Sequence, residues 1–544
     1  MCISPGSNPH FVALALVFSA LLAAGCGRRS TLVADGNRSQ TLHVGSGGEP
    51  SELDPHLINA PPDYHVIHAF FEGLTRLDSR TTEPRPGVAA RWEVSPDGLT
   101  YTFHLRAGAR WSSGDPLTAD DFVASFRRAL SPGIGSQYTV LFKPVRGAEA
   151  YATGKLTDFS QVGFSAPDPR TLVVTLAHPT PFFLALITGN PVWFPVHQPT
   201  IERYGPFDQR GTNWTRPGRF VGNGPFLLKE WRQNQRMVAA KSPTYWDAAS
   251  VRLREVHFHP IDNPDTEERA FRSGQLHVTR FVPNSRVDAY RMEESPLLSV
   301  APELTVRFIT LNTARPPLHD PRVRRALARA LDRTRYSSRV LRGTEAAAFN
   351  FVPAGMPGYS PSVTVTEDVA AARALLAEAG FPGGRGFPKL IFSSEAGRFT
   401  ELVEAIQETW RSSLGLEIAI QKSESRTHWS NLQLKQYDLG FAGWNADYPD
   451  ASTILDLFVS GGGWNFTQWG DPPFDALIAA SAIELDVAQR LRKLQAAEAR
   501  LLEQMPIIPL TFVRRAVLIH PSVRAWARNP LDRPDFKAVW LAPE

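Results

Sequence analysis

The chain has 544 residues and two cysteines, and 58 Lys and Arg against 54 Asp and Glu leave a net charge of +4. That excess is mild for the length, arginines are interleaved with acids, and no dense basic block occurs, which argues against a nucleic-acid groove. More than one hydrophobic core is expected, because single cores stop growing at about 250–300 residues. Most of the 13 tryptophans and 32 phenylalanines belong in those cores, with room for an aromatic-lined pocket.

Phe11 to Ala24 is an apolar run too short to cross a bilayer permanently, and it reads as part of an export signal over residues 1–25. Ala23, Ala24 and Gly25 before Cys26 resemble the lipobox of bacterial lipoproteins, which makes Cys26 the candidate lipidation site. Two features depart from that pattern: Met1 to His10 carries no Lys or Arg, and Ala23 stands where Leu is usual. An ordinary signal peptide cut nearby is the alternative. Cys2 leaves with the signal, so the mature chain has no internal disulfide. No later stretch reaches the roughly 20 apolar residues of a spanning helix. Residues 26–40, polar and rich in small side chains, read as a tether.

Thr41 to Val44 then predicts a strand running into a Gly45-Ser46-Gly47-Gly48 turn, which lacks the Lys and Ser/Thr of a phosphate loop. Leu99, Tyr101, Phe103 and Leu105 alternate with polar residues as a half-buried strand. Thr118 to Asp121 offers a capping box for a helix that buries Phe122, Phe126, Ala129 and Leu130. Leu172 to Leu176 reads as another strand. In the second half, Asp320-Pro321 starts a helix with Val323, Leu327, Ala330 and Leu331 inward and Arg322, Arg325 and Arg329 solvated. Glu367–Ala379 and Thr400–Leu414 are helix-like and each ends at a glycine, and Leu416, Ile418 and Ile420 alternate as a strand. Helix followed by strand, repeated, indicates α/β lobes. Asp486 to Gln504 is helical, and Ile507 to Phe512 is a strand returning through the body.

Several catalytic patterns are absent: no His-Glu-x-x-His, no zinc-binding cysteine pair, and no Gly-x-Ser-x-Gly elbow. His257 and His259 share a strand face that a metal could use, but no third ligand is evident nearby, so no metal site is assigned. His65 and His68 carry no more weight. Ala442-Gly443-Trp444-Asn445-Ala446-Asp447-Tyr448-Pro449 sets one carboxylate among aromatic, glycine and amide residues. Such an acid either caps a turn before proline or awaits a cation, because an ionised carboxylate in a partly dry pocket is costly without one.

Motifs in register over nearly the whole mature chain carry a resemblance. They include Gly48 to Pro55, Phe71-Glu72-Gly73-Leu74, Asp97 to Arg106, Trp111 to Phe122, Asn223-Gly224-Pro225-Phe226, Pro243-Thr244-Tyr245-Trp246, Phe271 to Leu276, Asp320 to Leu327, Leu375 to Gly380 and Pro506 to Leu510. In these the chain resembles the periplasmic oligopeptide-binding proteins of bacterial ABC importers, the extracellular solute-binding proteins of family 5. The resemblance implies an α/β, bilobal periplasmic-binding-protein-like fold (type II, cluster C) with an extra domain inserted in the first lobe. By position, residues 41–71, 196–281 and 514–544 would form the first lobe, 72–195 the extra domain and 282–513 the second lobe, with Leu510 to Arg514 as one hinge crossing. It implies a non-catalytic, monomeric receptor without cofactor, lipid-anchored in the periplasm or on the outer face of the cell membrane. Such a receptor would close on short peptides and dock on the transmembrane subunits of an ABC permease.

In that family the acid of the Gly-Trp-x-x-Asp-Tyr segment pairs with the peptide ammonium, and here it is Asp447. Gly443, Trp444 and Asn445 would supply main-chain contacts on one side, and Asn59, Ala60 and Pro61 on the other. Departures are Asn59 in place of an acid, Pro61 without an N–H, Phe441 in place of a basic residue, Ser425 in place of Trp, and His277 in place of Asp. The pocket beyond the amino-end anchor is therefore altered. Arg280, Arg398 or Arg426 are candidates to receive a carboxylate, each otherwise a surface residue. A peptide sensor or chaperone not coupled to transport, a hydrolase, and a same-fold receptor for nickel or sugar are the alternatives.

Overall fold

The computed structural model describes Met1, residues 30–397 and residues 399–543. The expected signal, Cys26 and Arg398 lie outside the described residues. Among the described residues no helix is long and apolar enough to cross a membrane.

Ordered structure begins inside the segment expected to be a tether. Leu32–Ser39 is a helix (α1), N-capped by Thr31, whose hydroxyl accepts from the Ala34 amide at 3.1 Å. Its polar composition concealed it, because only Val33, Gly36 and Asn37 turn inward. The Val33 amide donates to the Gly274 carbonyl at 2.9 Å, and Asn37 Oδ1 lies 3.2 Å from His277 Nε2. A Cβ at Gly36 would collide with the Thr41 carbonyl and the His277 ring, so the helix docks only through glycine there.

The chain then lays down β1 (Thr41–Gly45) and a short helix α2 (Pro61–Ile67) and leaves for a second body. There β2 (Ala89–Val94), β3 (Thr100–Leu105), β4 (Phe164–Asp168) and β5 (Thr171–Thr175) form an antiparallel sheet in the order β2-β3-β5-β4. Helix α3 (Ala119–Leu130) packs on it and has the expected capping box at Thr118. Phe103, Trp111, Phe122, Phe126, Phe142 and Trp193 fill this core.

Returning, the chain adds β6 (Phe226–Arg232), β7 (Arg236–Lys241) and β8 (Glu255–His259), and β8 runs parallel to β1, giving the order β1-β8-β7-β6. Helix α4 (Pro264–Arg272) follows. The shared face of His257 and His259 gains His43 from β1, whose ring centroid is 4.8 Å from that of His257 and 5.4 Å from that of His259. His43 Nδ1 lies 3.1 Å from His259 Nε2, and the His43 amide donates to His277 Nδ1 at 3.0 Å. Burial holds His43, His259 and His277 neutral, with His43 lowered to about 2 and His259 and His277 to about 4. The cluster is thus a hydrogen-bonded patch that seats α1. His65 and His68 are core imidazoles, also held neutral chiefly by burial.

The second lobe is built on a six-stranded sheet. Its elements in chain order are β9 (Leu298–Leu311), α5 (Pro321–Arg329), β10 (Glu345–Ala347), α6 (Val369–Glu378), β11 (Leu390–Glu395), α7 (Thr400–Leu414) and β12 (Ile418–Ser423). There follow α8 (Ser425–Gln433), β13 (Leu439–Asn445), α9 (Val487–Gln504) and β14 (Ile507–Leu518). The sheet order is β10-β14-β9-β13-β11-β12. Asp320 and Asp486 cap α5 and α9 through their carboxylates, and Gly415 closes α7 at φ 72°. The strand expected over Ile507 to Phe512 extends to Leu518, because β9 pairs with it again from Arg514 to Leu518.

Strands β9 and β14 cross between the lobes side by side, and their ladder is interrupted twice, by a bulge at Leu510 between the Arg307–Thr511 and Phe308–Pro509 pairs and by a wider break. Pro302 pairs with Arg514 and Val306 with Phe512, so Glu303, Leu304 and Thr305 leave β14. The Leu304 amide instead donates to the Pro530 carbonyl, and its carbonyl accepts from the Ala446 amide, both at 2.8 Å. The second lobe also meets the inserted body. Tyr448 stacks on Phe182 at 5.6 Å and 7°, and Arg490 lies over the same ring at 4.9 Å.

The inserted body is held to the first lobe by a buried ion pair. Arg128 of α3 bonds both oxygens of Asp54, His56 Nδ1 and the Phe207 carbonyl, and the Trp214 indole also donates to Asp54. Both side chains are almost fully enclosed. Arg128→Met leaves Asp54 ionised and unpaired in that core, and the expected loss is about 3–5 kcal/mol, read as a lower denaturant midpoint.

Candidate functional site

Between the lobes lies a cavity of about 430 Å³. One wall is the edge of the second lobe. There β13 pairs with β9 so that Gly443 faces Arg307 and Asn445 faces Thr305, whose hydroxyl donates to Asn445 Oδ1 at 3.0 Å. After β13 the chain turns through Ala446 and Asp447. Trp444 packs edge-on against Trp464 at 4.9 Å, and both line the space with Trp429. The facing wall carries Asn59, Pro61 and Tyr64 of the first lobe with Gln137, Tyr138 and Leu141 of the inserted body. The floor is the broken strand segment Glu303-Leu304-Thr305 beside Pro530 to Arg533.

Asp447 lines this space together with Glu303 and Asp532. Its amide donates to Thr453 Oγ1 at 3.2 Å, and its carbonyl accepts from Arg533 Nη2 at 2.9 Å. Both contacts are to the backbone and aim the side chain. Among the described residues the carboxylate forms no salt bridge within 4 Å. Burial pushes its pKa up to about 6, against the opposing pull of the Arg533 charge and the Trp444 indole N–H. Tyr138 is pushed up to about 12, first by burial and then by Asp447. Burial draws Arg533 below its ordinary value.

The structure brings Asp447, Trp444, Gly443 and Asn445 onto one wall and Asn59 and Pro61 onto the other. Ala60 does not line the space. It is the N-cap of α2: its amide lies 3.3 Å from Asp63 Oδ2, and its carbonyl accepts from the Asp63 and Tyr64 amides. With Pro61 lacking an N–H, main-chain pairing on this side has little left to offer. Arg280 lines the cavity but is neither a surface residue nor free: it is 5 % exposed, and both its terminal nitrogens bond Asp532. Arg426 lies exposed on α8. Phe441, in place of a base, packs on Phe399 at 4.9 Å.

Sequence reasoning missed Glu303, Arg307, Arg515, Asp532 and Arg533. Arg515 bonds Glu303 through two nitrogens and approaches Asp532 at 3.4 Å, so Arg280, Asp532, Arg515 and Glu303 form one buried network. Burial would raise Asp532, but Arg280 and Arg515 outweigh it and hold the acid far below its ordinary value. The available signal was the charge run from Arg528 to Asp535, which reads equally well as a solvated tail. A second space of about 860 Å³ adjoins the cavity and shares Arg307 and Arg515 with it.

Two lobes joined by paired crossing strands, with an aromatic and charged cavity between them, define a bilobal solute-binding protein. The chain belongs to the bacterial extracellular solute-binding proteins, family 5, whose middle region it matches over residues 83–466. It is 30% identical over 516 residues to the periplasmic oligopeptide-binding protein OppA of Escherichia coli, covering 92% of each chain. It is 32% identical over 518 residues to the oligopeptide-binding protein OppA of Bacillus subtilis, covering 92% of this chain and 93% of the relative. The structure of OppA from Burkholderia pseudomallei superposes with a TM-score of 0.80 at 30% identity, over 92% of this chain and 99% of that one.

The raised Asp447 pKa makes a signed prediction for the free protein. The native state binds this proton more tightly than the unfolded chain, so stability falls as pH rises from about 4 to about 6. Relative to Asp447→Asn, the wild type should lose on the order of 1–2 kcal/mol across that window, measured by denaturant titration at pH 4, 5, 6 and 7.

Proposed function

We propose that the protein is a lipid-anchored extracytoplasmic receptor that captures short peptides by lobe closure and delivers them to an ABC permease, without catalysis. The observation that carries this reading is Asp447: an acid in the wall of the interlobe cavity, its pKa raised by burial to about 6, with no salt bridge among the described residues. A peptide's α-ammonium is the complementary group, and its pairing there offsets the desolvation of both charges. The exposed edge of Gly443 to Asn445 suits an extended main chain, and the wide tryptophan-lined space suits varied side chains. The names of the family members reported above support the same ligand class. Cys26, preceded by small residues, would carry the lipid, and the relatives' importers supply the model for delivery.

Calorimetry tests the central claim. Peptides with a free amine should bind the wild type at least tenfold more tightly than their N-acetylated forms, and Asp447→Ala should lose that difference. Affinity should fall as pH drops through about 6, because protonated Asp447 no longer attracts the ammonium, and binding near pH 5.5 should release a proton to buffer. Equal affinity for acetylated and free peptides removes Asp447 from the role. The anchor is tested separately: Cys26→Ser should move the protein from the membrane fraction to the soluble one.

A further inference from the structure

Arg533 borders not only the interlobe cavity but also a smaller one of about 70 Å³, where residues 71–79 meet Gly189 and residues 529–537. That space admits more than one water-sized group, each of which needs about 10–15 Å³. The Arg76 side chain, 38 % exposed, lines it, so small solutes can reach it from bulk water.

Its wall gathers N–H groups that find no hydrogen-bond partner among the described residues: Arg533 Nη1, Asn529 Nδ2 and Arg76 Nε. His68 Nε2 is a fourth such atom, a donor in one of its two tautomers. Arg533 and Asn529 are only 8 % and 7 % exposed. The Asn529 side-chain oxygen accepts from the Leu531 amide at 2.8 Å, which leaves its NH2 as the free end. Arg533 forms no salt bridge within 4 Å among the described residues. Its Nη2 bonds the Asp447 carbonyl at 2.9 Å, whereas Nη1 would lie 3.2 Å from a Cβ at Gly189, in the wall of the smaller cavity. Folded proteins rarely leave buried donors unanswered, and an arginine cannot shed its proton to escape.

The chemistry of the wall selects the occupant. Two of the orphan donors belong to guanidinium ions, so the fitting partner is an acceptor that carries negative charge. A water would also need acceptors for its own protons, and the two acids of the wall are already engaged. Glu72 accepts from the Tyr245 hydroxyl at 2.7 Å and the Trp246 indole at 2.6 Å, and Asp535 from Arg76 Nη1 at 3.5 Å. Their presence disfavours a multivalent anion. Lys537, also in the wall, pairs with Asp247 at 2.7 Å, which leaves Arg533 as the cation to be answered.

We propose that this cavity binds a small monovalent inorganic anion of chloride size, held by Arg533 Nη1, Asn529 Nδ2 and Arg76 Nε. The anion offsets the Arg533 charge from the side away from the Asp447 carbonyl. Resting on the peptide-receptor reading above, that charge otherwise repels an ammonium seated on Asp447, so anion and peptide bind with positive coupling.

The purified protein is exchanged into sodium gluconate, whose anion is too large for the cavity, and chloride replaces gluconate at constant ionic strength. Wild type should broaden the chloride NMR line saturably and raise its thermal midpoint in step, with bromide competing. Asn529→Asp keeps an acceptor for the Leu531 amide and supplies a fixed carboxylate, and Asn529→Leu removes the donor without adding charge. Both should weaken chloride binding tenfold or more. Wild type without saturable broadening, or a folded Asn529→Leu protein that keeps it, overturns the site. In calorimetry, trialanine should bind about fivefold more tightly in chloride than in gluconate. If chloride binds but leaves trialanine affinity unchanged, the coupling is overturned and the anion site stands. If trialanine binds in neither salt, the peptide-receptor reading falls, and the NMR titration still decides the anion site.

Discussion

The buried network of Arg280, Asp532, Arg515 and Glu303 is the constraint on which the site depends. Its members come from the end of the first lobe, the terminal segment and the two crossing strands. They converge where β9 leaves β14, so the break in the ladder is filled by charge and not by hydrogen-bonded strand. Two cations and two anions neutralise one another there. The floor of the cavity is accordingly polar with its charges answered internally, whereas Asp447 forms no salt bridge among the described residues.

Burial of that kind is weak evidence of stability and better evidence of geometry. Replacing such a network by well-packed apolar residues is often neutral or stabilising, yet only directional bonds fix the angle at which four chain segments meet. Leu304 makes the same point through its backbone. Its amide is tied to Pro530 and its carbonyl to Ala446, so one residue sets the distance between the terminal segment and the turn that carries Asp447.

The motifs that made the fold legible in sequence turn out to be mostly scaffold. Phe71-Glu72-Gly73-Leu74, Asn223-Gly224-Pro225-Phe226 and Pro243-Thr244-Tyr245-Trp246 meet one another. Glu72 accepts from the Tyr245 hydroxyl and the Trp246 indole, and Asn223 exchanges bonds with the Glu72 backbone. Asp54 answers Arg128. Helix caps and alternating strands were readable because their signals are local. The site was readable only where it coincides with a motif, at Gly443 to Asp447. Arg307, Arg515 and Arg533 sit among ordinary strand and tail residues, and their contacts with Gly443, Glu303 and the Asp447 carbonyl join parts of the chain far apart in sequence. Helix α1 escaped for the opposite reason: its anchoring residues are one valine, one glycine and one asparagine in an otherwise polar run.

That helix also sets the length of any leash. With Thr31 fixed as its cap and α1 docked on the histidine-lined edge of the first lobe, only four residues lie between Thr31 and Cys26. The five Cα–Cα steps from Cys26 to Thr31 reach at most about 18 Å. A lipid on that cysteine would hold the first lobe against the membrane instead of letting it roam. The search for a permease would then become a matter of diffusion in two dimensions, with one face of the lobe turned permanently toward the bilayer.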